Sequence, residues 1–435
     1  MSTKQKKLAG AVVALGLLTA ACGSPGGDGG GSEDVSSDAA AAAKELGIDL
    51  DKCPTDVTEK FGATVKVGNT MPLTGPVAPA LGVIGPAMKE SFRQFNADSG
   101  LDTKFELVQM DDAFTPDKAL TSTQTLLDKD KIDLMSGVIG TPQVAAVRGV
   151  LGEECVPLMP GISNGNSANN PQEFPWTMIL TQPSTLDARI MMAAISDKTP
   201  DGAKVAVLIS NTESGKDNLD ALEKYAGKNT IVKTETIEAT ETAAPSSQIT
   251  TLRSSDADVL IAVGTAAQCA SIMQEVANQG WKVDGYMTSQ CASSTFDVAG
   301  AAADGWYITT YAKDPTRGEY ANDPDVAAAR DALKKASPKT PFNNTTVTGF
   351  LYSEPLLEAA KAAADTPLGL SRLGMMSAVN HLDYQSKYLK PGIKITLDGL
   401  KDHVAIESSY LSQYDSDTKD FKDIKLYEFE GQMSK

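Results

Sequence analysis

Residues 155–165 read CVPLMPGISNG, and the reading of the fold turns on the residues after Ser163. Gly161, Ser163 and Gly165 make a G-x-S-x-G pattern, the signature of the nucleophile elbow of serine hydrolases, where a strand turns sharply into a helix and lifts the serine hydroxyl clear of the sheet. The strand is there: CVPLMPGIS is a short apolar run. The helix is missing. SNGNSANNPQEFP is built from Asn, Ser, Gly and Pro, a loop composition, and without a helix the backbone amides and dipole that help form an oxyanion hole are lost. His381 and His403 follow Ser163, so chain order leaves a triad open, yet both read as surface or capping positions. A secreted serine esterase or amidase using Ser163 is the weakest reading. The plain reading of Ser163 at this point is a turn hydroxyl that caps its own backbone.

Outward from this stretch, strand-like and helix-like segments alternate. Upstream, TVKVGNTMPL reads as a buried strand, and GPAMKESFRQFNADSG as a helix with Met88, Phe92 and Phe95 on one face and Gly100 as its stop. KFELVQMDDAF is a second strand. TPDKALTSTQTLLDKD is a helix with Thr115 as N-cap and Pro116 at the first helical position, where a missing N–H costs nothing. IDLMSGVIG is a third strand and PQVAAVRGVLGEE a helix. Downstream the pattern restarts with the strands KVAVLIS, NTIVKTETI, ADVLIAVG and DGYMTSQ, separated by helical segments. Such alternation implies right-handed crossovers and parallel sheets covered on both faces. Two successive runs imply an α/β chain of two lobes. SEPLLEAAKAAAD and GLSRLGMMSAVNHLDYQSKYL read as helical, and ESSYLSQYD with IKLYEFEG as a closing hairpin. Ligands sit outside the carboxyl ends of strands in such sheets, which singles out the loops at Thr74, Asp112, Gly140–Thr141, Ser163–Asn164, Ser214, Thr265 and Gln290.

Besides Cys22 there are four cysteines, Cys53, Cys155, Cys269 and Cys291, which allow three connectivities. Cys269 and Cys291 both lie just past the carboxyl ends of consecutive strands, and Cys53 and Cys155 both lie ahead of strands, so disulfides Cys53–Cys155 and Cys269–Cys291 are expected. No C-x-x-C occurs and the chain has only two histidines, so a metal site is disfavoured and no cofactor is expected.

The chain opens with a basic start (Lys4, Lys6, Lys7), an apolar run from Leu8 to Leu18, and small residues ending at Cys22. The run is too short to span a bilayer as a helix and reads as an export signal. Placed directly before a cysteine, it resembles the bacterial lipoprotein signal, which implies a signal peptide over residues 1–21 and lipidation of Cys22. Thr19 departs from that pattern, where leucine is commoner. GSPGGDGGGSEDVSSD then reads as flexible and unable to bury a core, the start of a tether expected over residues 22–60. The net charge is −17, and past the leader's lysines no basic cluster remains, so nucleic acid is not an expected partner.

Other motifs carry little chemistry. SGKD (Ser214–Asp217) is like the end of a phosphate-binding loop, but Ser210 stands where the leading glycine belongs and Asp217 where Ser or Thr belongs. Asp111 and Asp112 are neighbours on a strand, point to opposite faces and cannot share a proton.

With VKVGNTMPLTGPVA, VQMDDAFTPDKAL, LMSGVIGTPQVAAV and VPLMPGISN in this order, residues 62–430 resemble the leucine/isoleucine/valine-binding family, type I periplasmic binding proteins that serve ABC importers. The resemblance implies a clamshell whose lobes, residues 61–182 plus 312–400 and residues 183–311 plus 401–435, are joined by a three-strand hinge. It also implies a monomer that takes a small solute, performs no catalysis and docks on a membrane permease. A sensory protein presenting its ligand to a receptor is the alternative. The resemblance puts the solute carboxylate at Gly140, Thr141 and Ser163, with Asn164 beside them. Gln182, Ser214, Thr265 and Gln290 complete the expected ligand set, and Trp176 is expected in the core. Departures from the family bear on the solute. Ala78–Ala80 stand where amino-acid binders carry an aromatic residue, Ser214 where they carry tyrosine, and Gln290 where they carry the acid that meets an α-ammonium. A buried ammonium without a carboxylate is costly, so a standard α-amino acid is disfavoured.

Overall fold

The computed structural model describes residues 30–291 and 293–434; the leader, Cys22 and its lipidation lie outside the described residues. Six strands form the first sheet, β1 (Thr64–Met71), β2 (Lys104–Asp111), β3 (Leu134–Met135), β4 (Val138–Ile139), β5 (Leu158–Ile162) and β6 (Thr177–Ile179), and every pairing among them is parallel. β3 and β4 are two pieces of one run, both bonded to β5 and parted at Ser136–Gly137. Every residue of β5 is buried, as a strand covered on both faces requires. Helix Ile84–Asp98 buries Met88, Phe92 and Phe95 as its periodicity predicts, and Trp176 lies in the same core. Thr115 is the N-cap and Pro116 the first residue of helix Pro116–Thr125.

The second sheet restarts the pattern with β7 (Lys204–Ser210), β8 (Thr230–Ile237), β9 (Val259–Val263), β10 (Asp284–Met287) and β11 (Tyr307–Thr310), all parallel. After a small ribbon of β12 (Asp383–Tyr384) and β13 (Ile395–Thr396), β14 (Ser408–Asp415) and β15 (Asp420–Glu428) close the sheet as an antiparallel hairpin on β11. The chain passes between the sheets after β6, returns after β11, and passes a third time just before β14. At the second crossing Ala312 bridges Leu389, and the Lys390 N–H donates to the Tyr311 carbonyl at 2.8 Å. Disulfides join Cys53 to Cys155 and Cys269 to Cys291.

Two expectations need correction. The tether does not run free to residue 60: Gly30–Leu46 is a helix, with Ala39, Ala42, Ala43 and Leu46 buried in the first lobe's core. Alanine is the best helix former, and its small side chain lets the helix lie close against its neighbours. The long helical reading of GLSRLGMMSAVNHLDYQSKYL shrinks to Arg372–Val379, after which the chain enters the β12–β13 ribbon.

Candidate functional site

Gly140 caps the helix Thr141–Glu153 with φ 109°, a conformation that favours glycine, and a Cβ there would come within 2.2 Å of the Gln143 side-chain oxygen. The Thr141 hydroxyl lies 2.7 Å from the Ser163 hydroxyl, and Ser163 Oγ also accepts the Gly165 N–H at 3.2 Å. Ser163 thus caps its own turn and pairs with Thr141 at once. Two hydroxyls carry two protons and their mutual bond uses one, so one remains to meet a ligand's acceptor. No α-helix follows Gly165; the chain makes a single turn at Asn166–Ala168. Neither histidine is bonded to Ser163. His381 meets the Ser377 carbonyl and Glu45, and the His403 carbonyl accepts from Asn169.

On the second lobe Ser214 Oγ stands 2.5 Å from the Ser184 hydroxyl and accepts from Gln290 Nε2. Ser214 lies in the first turn of helix Glu213–Lys224, which is capped by the Thr212 hydroxyl accepting the Gly215 N–H at 3.0 Å. SGKD is therefore a capped helix start. Asn164 connects the halves: its Nδ2 donates to the Gln182 carbonyl at 2.9 Å, and its own carbonyl accepts the Ser184 N–H and hydroxyl at 3.0 and 2.8 Å. These bonds commit Asn164 to the first crossing. The structure thus brings Thr141 and Ser163 together on one side of that crossing, and Ser214 and Gln290 on the other. Thr265 stands apart from this chain of bonds. Its N–H is bonded to Gln268 Oε1 at 3.0 Å and its buried hydroxyl has no partner among the described residues.

Gln182 is wholly buried and donates to Asp187 Oδ1 at 2.6 Å. Asp187, which the sequence reading missed, also accepts the Ser289 hydroxyl at 2.8 Å, the Ser289 N–H at 3.4 Å and the Thr309 hydroxyl. Burial outweighs these donors and pushes its carboxyl up to about 6. It lies in the helix Ser184–Lys198, where an acid reads as solvated surface; no local signal marks it. Beyond Ser289 opens a cavity of about 360 Å³ between the lobes, walled by Thr309–Ala312 of the second crossing, Tyr320, Asn344, Thr348 and Lys390. None of the predicted ligand residues lines it.

Asp111 and Asp112 organise the first lobe's outer loops. Asp111 accepts the N–H groups of Leu73, Thr74 and Ala113 at 2.9, 3.0 and 3.0 Å and pairs with Lys118. Desolvation opposes ionisation there, but Lys118, Thr74 and the backbone donors win and hold its carboxyl well below the usual range. Asp112 is buried and accepts the Phe114 N–H at 2.8 Å. At the rim the lobes touch: the Asn166 N–H donates to Asp217 at 2.8 Å and the Ser167 hydroxyl donates to Glu213.

A family model described as periplasmic binding protein matches residues 64–419. Among solved structures, a fatty acid ABC transporter substrate-binding protein from Thermomonospora curvata superposes with a TM-score of 0.69 at 19% identity, over 86% of this chain and 94% of that one. A solute binding protein of an ABC transporter from Rhodopseudomonas palustris, in complex with 3,4-dihydroxy benzoic acid, gives 0.68 at 19%, over 84% and 98%. A branched-chain amino acid transporter substrate binding protein from Streptococcus pneumoniae, in complex with isoleucine, gives 0.66 at 17%, over 84% and 99%. No curated protein sequence matches the chain. At these identities the structural likeness establishes the fold.

Proposed function

The chain belongs to the periplasmic binding protein family, whose members bind solutes without transforming them, and we propose that it captures a small organic solute between its lobes and delivers it to an ABC importer. Membership implies an extracytoplasmic place, and among the described residues no helix is long and apolar enough to cross a membrane. The basic, apolar leader ending at Cys22 fits a lipoprotein held at the outer face of the membrane. The observation that carries the reading is the hydroxyl pair Thr141–Ser163 on one side of a single crossing and Ser214–Gln290 on the other. A solute bonded to both halves favours the closed arrangement, with residues 61–182 and 312–400 moving against 183–311 and 401–435; binding shifts that equilibrium by its differential affinity for the closed state.

The cluster's neutral hydroxyl and amide groups suit a carboxylate or an amide. A branched-chain amino acid-like solute keeps its carboxylate partners but lacks an acid for its ammonium at Gln290. The solutes of the three relatives, a fatty acid, 3,4-dihydroxy benzoic acid and isoleucine, all carry a carboxylate, an acceptor that a hydroxyl donor can meet. A thermal-shift screen of amino acids, amides, and aliphatic and aromatic carboxylates tests the reading, because a bound solute stabilises by mass action. Ser163→Ala is expected to weaken the best solute about tenfold, the worth of one hydrogen bond to a charged group. Strong stabilisation by leucine or valine would overturn the weight placed on Gln290, and an ester-hydrolysing activity lost in Ser163→Ala would overturn the binding role itself.

A further inference from the structure

The hydroxyl cluster leaves unused an arrangement at the first lobe's mouth. Ala113 and Phe114 have φ values of 47° and 60°, two consecutive non-glycine residues in the left-handed region. That region costs a residue with a side chain free energy, and more so a bulky one, so it persists only where neighbours enforce it. The enforcers are the two acids, Asp111 on the Ala113 N–H and Asp112 on the Phe114 N–H. Asp111 also gathers the N–H groups of Leu73 and Thr74, so one carboxylate sets both loops.

The outcome is two apolar side chains in the open, Phe114 at 36% and Leu73 at 43% exposure, where the described residues have only four exposed large hydrophobic side chains. Phe114 is also placed against the site. Its ring edge lies 3.4 Å from the position a Cβ on Gly140 would take, and the next residue, Thr141, bears the hydroxyl that meets Ser163. An aromatic ring held in a disfavoured backbone and left exposed adds nothing to the core, whereas an apolar solute surface would cover it. Ala78–Ala80 leave the first loop without an aromatic side chain, and Phe114 supplies one from the next loop.

Resting on the solute-binding reading, we propose that Phe114 and Leu73 form the apolar wall of the site, and that this wall selects carboxylates or amides with a flat or bulky apolar body over wholly polar ones. The probes are benzoate and cyclohexanecarboxylate against succinate, measured by titration calorimetry and thermal melting on the parent chain, Phe114→Ala, Phe114→Gly and Ser163→Ala. Both apolar carboxylates are expected to bind the parent more tightly than succinate, and Phe114→Ala to weaken them about tenfold while barely changing succinate. Phe114→Gly is expected to weaken them equally and yet raise the melting point of the unliganded chain by about 1–2 °C, because glycine adopts this φ freely. A ring with a purely structural role gives the opposite sign, a lower melting point in Phe114→Gly, and would overturn the proposal. So would a parent that ranks succinate first or binds none of the three. Loss of uptake in Phe114→Ala with unchanged affinity would assign the ring to the permease and overturn it too. If Ser163→Ala loses the apolar carboxylates and Phe114→Ala keeps them, the solute-binding reading stands and this inference alone falls.

Discussion

The first lobe carries its disulfide at the base of its sheet, and the second carries its own at the mouth. Cys53–Cys155 joins residues 102 apart, linking the segment ahead of β1 to the turn just before β5. Cys269–Cys291 joins residues 22 apart, and Cys291 directly follows Gln290. Loop-closure entropy makes the long link worth about 4–5 kcal/mol and the short one about 3 kcal/mol. The difference separates two tasks, holding a lobe together and holding the Gln290 loop in place. Replacing both Cys53 and Cys155 by serine is therefore expected to give the larger loss in urea unfolding free energy with little change in solute affinity. Replacing Cys269 and Cys291 is expected to cost less stability and to weaken binding, since the Gln290 loop is freed. A calorimetric titration in which the first pair lost affinity and the second kept it would break the contrast.

The mouths differ as well. The first lobe offers hydroxyls fixed by backbone geometry, while the second backs Ser289 and its neighbour Gln290 with the buried carboxyl of Asp187. Folding raises that carboxyl from about 3.9 to about 6. The folded chain thus holds the proton more tightly than the unfolded one. The resulting stability is fully present below about pH 4, is lost as pH rises to about 6, and stays lost above, a change of about 3 kcal/mol. Asp187→Asn imitates the protonated form at every pH. Urea unfolding free energies of the two chains are therefore expected to diverge by that amount between pH 4 and pH 7, with the variant the more stable at pH 7. A difference that stays flat across this range would mean that Asp187 is ionised throughout, held by its four donors.

Alternation of apolar strands with amphipathic helices was enough to read two parallel sheets, because burial on both faces leaves a continuous apolar run in each central strand. Thr115 and Pro116 marked a helix start by local chemistry alone. The interior of the site was less legible. Gln182 and Asn164 read as cleft residues, yet one supports Asp187 and the other ties the crossing, roles set by Ser184, Ser289 and Thr309 from distant segments. Phe114 reads as an ordinary strand-end residue, and only the two carboxylates beneath it turn its ring outward. The Gly30–Leu46 helix was hidden by the glycine and serine that precede its alanines.

The smallest expected effect lies at the rim, where the lobes meet outside the hydroxyl cluster. Asn166 and Ser167 belong to the first lobe's loop, while Asp217 and Glu213 lie in the first turns of a second-lobe helix, so these bonds exist only while the lobes are together. Solvent reaches both acids, so each bond is worth about 1 kcal/mol or less. Asp217→Ala removes the acceptor of the Asn166 N–H and leaves the hydroxyl cluster intact. The equilibrium of the unliganded chain then moves toward open, and solute must supply the lost closing free energy from its own binding, which weakens affinity about two- to fivefold. Small-angle scattering is expected to show a larger radius of gyration for the unliganded variant and an unchanged one at saturating solute. Closure driven wholly by the cluster would leave both the unliganded radius and the affinity untouched, and the rim would then be a consequence of closing with no part in setting its free energy.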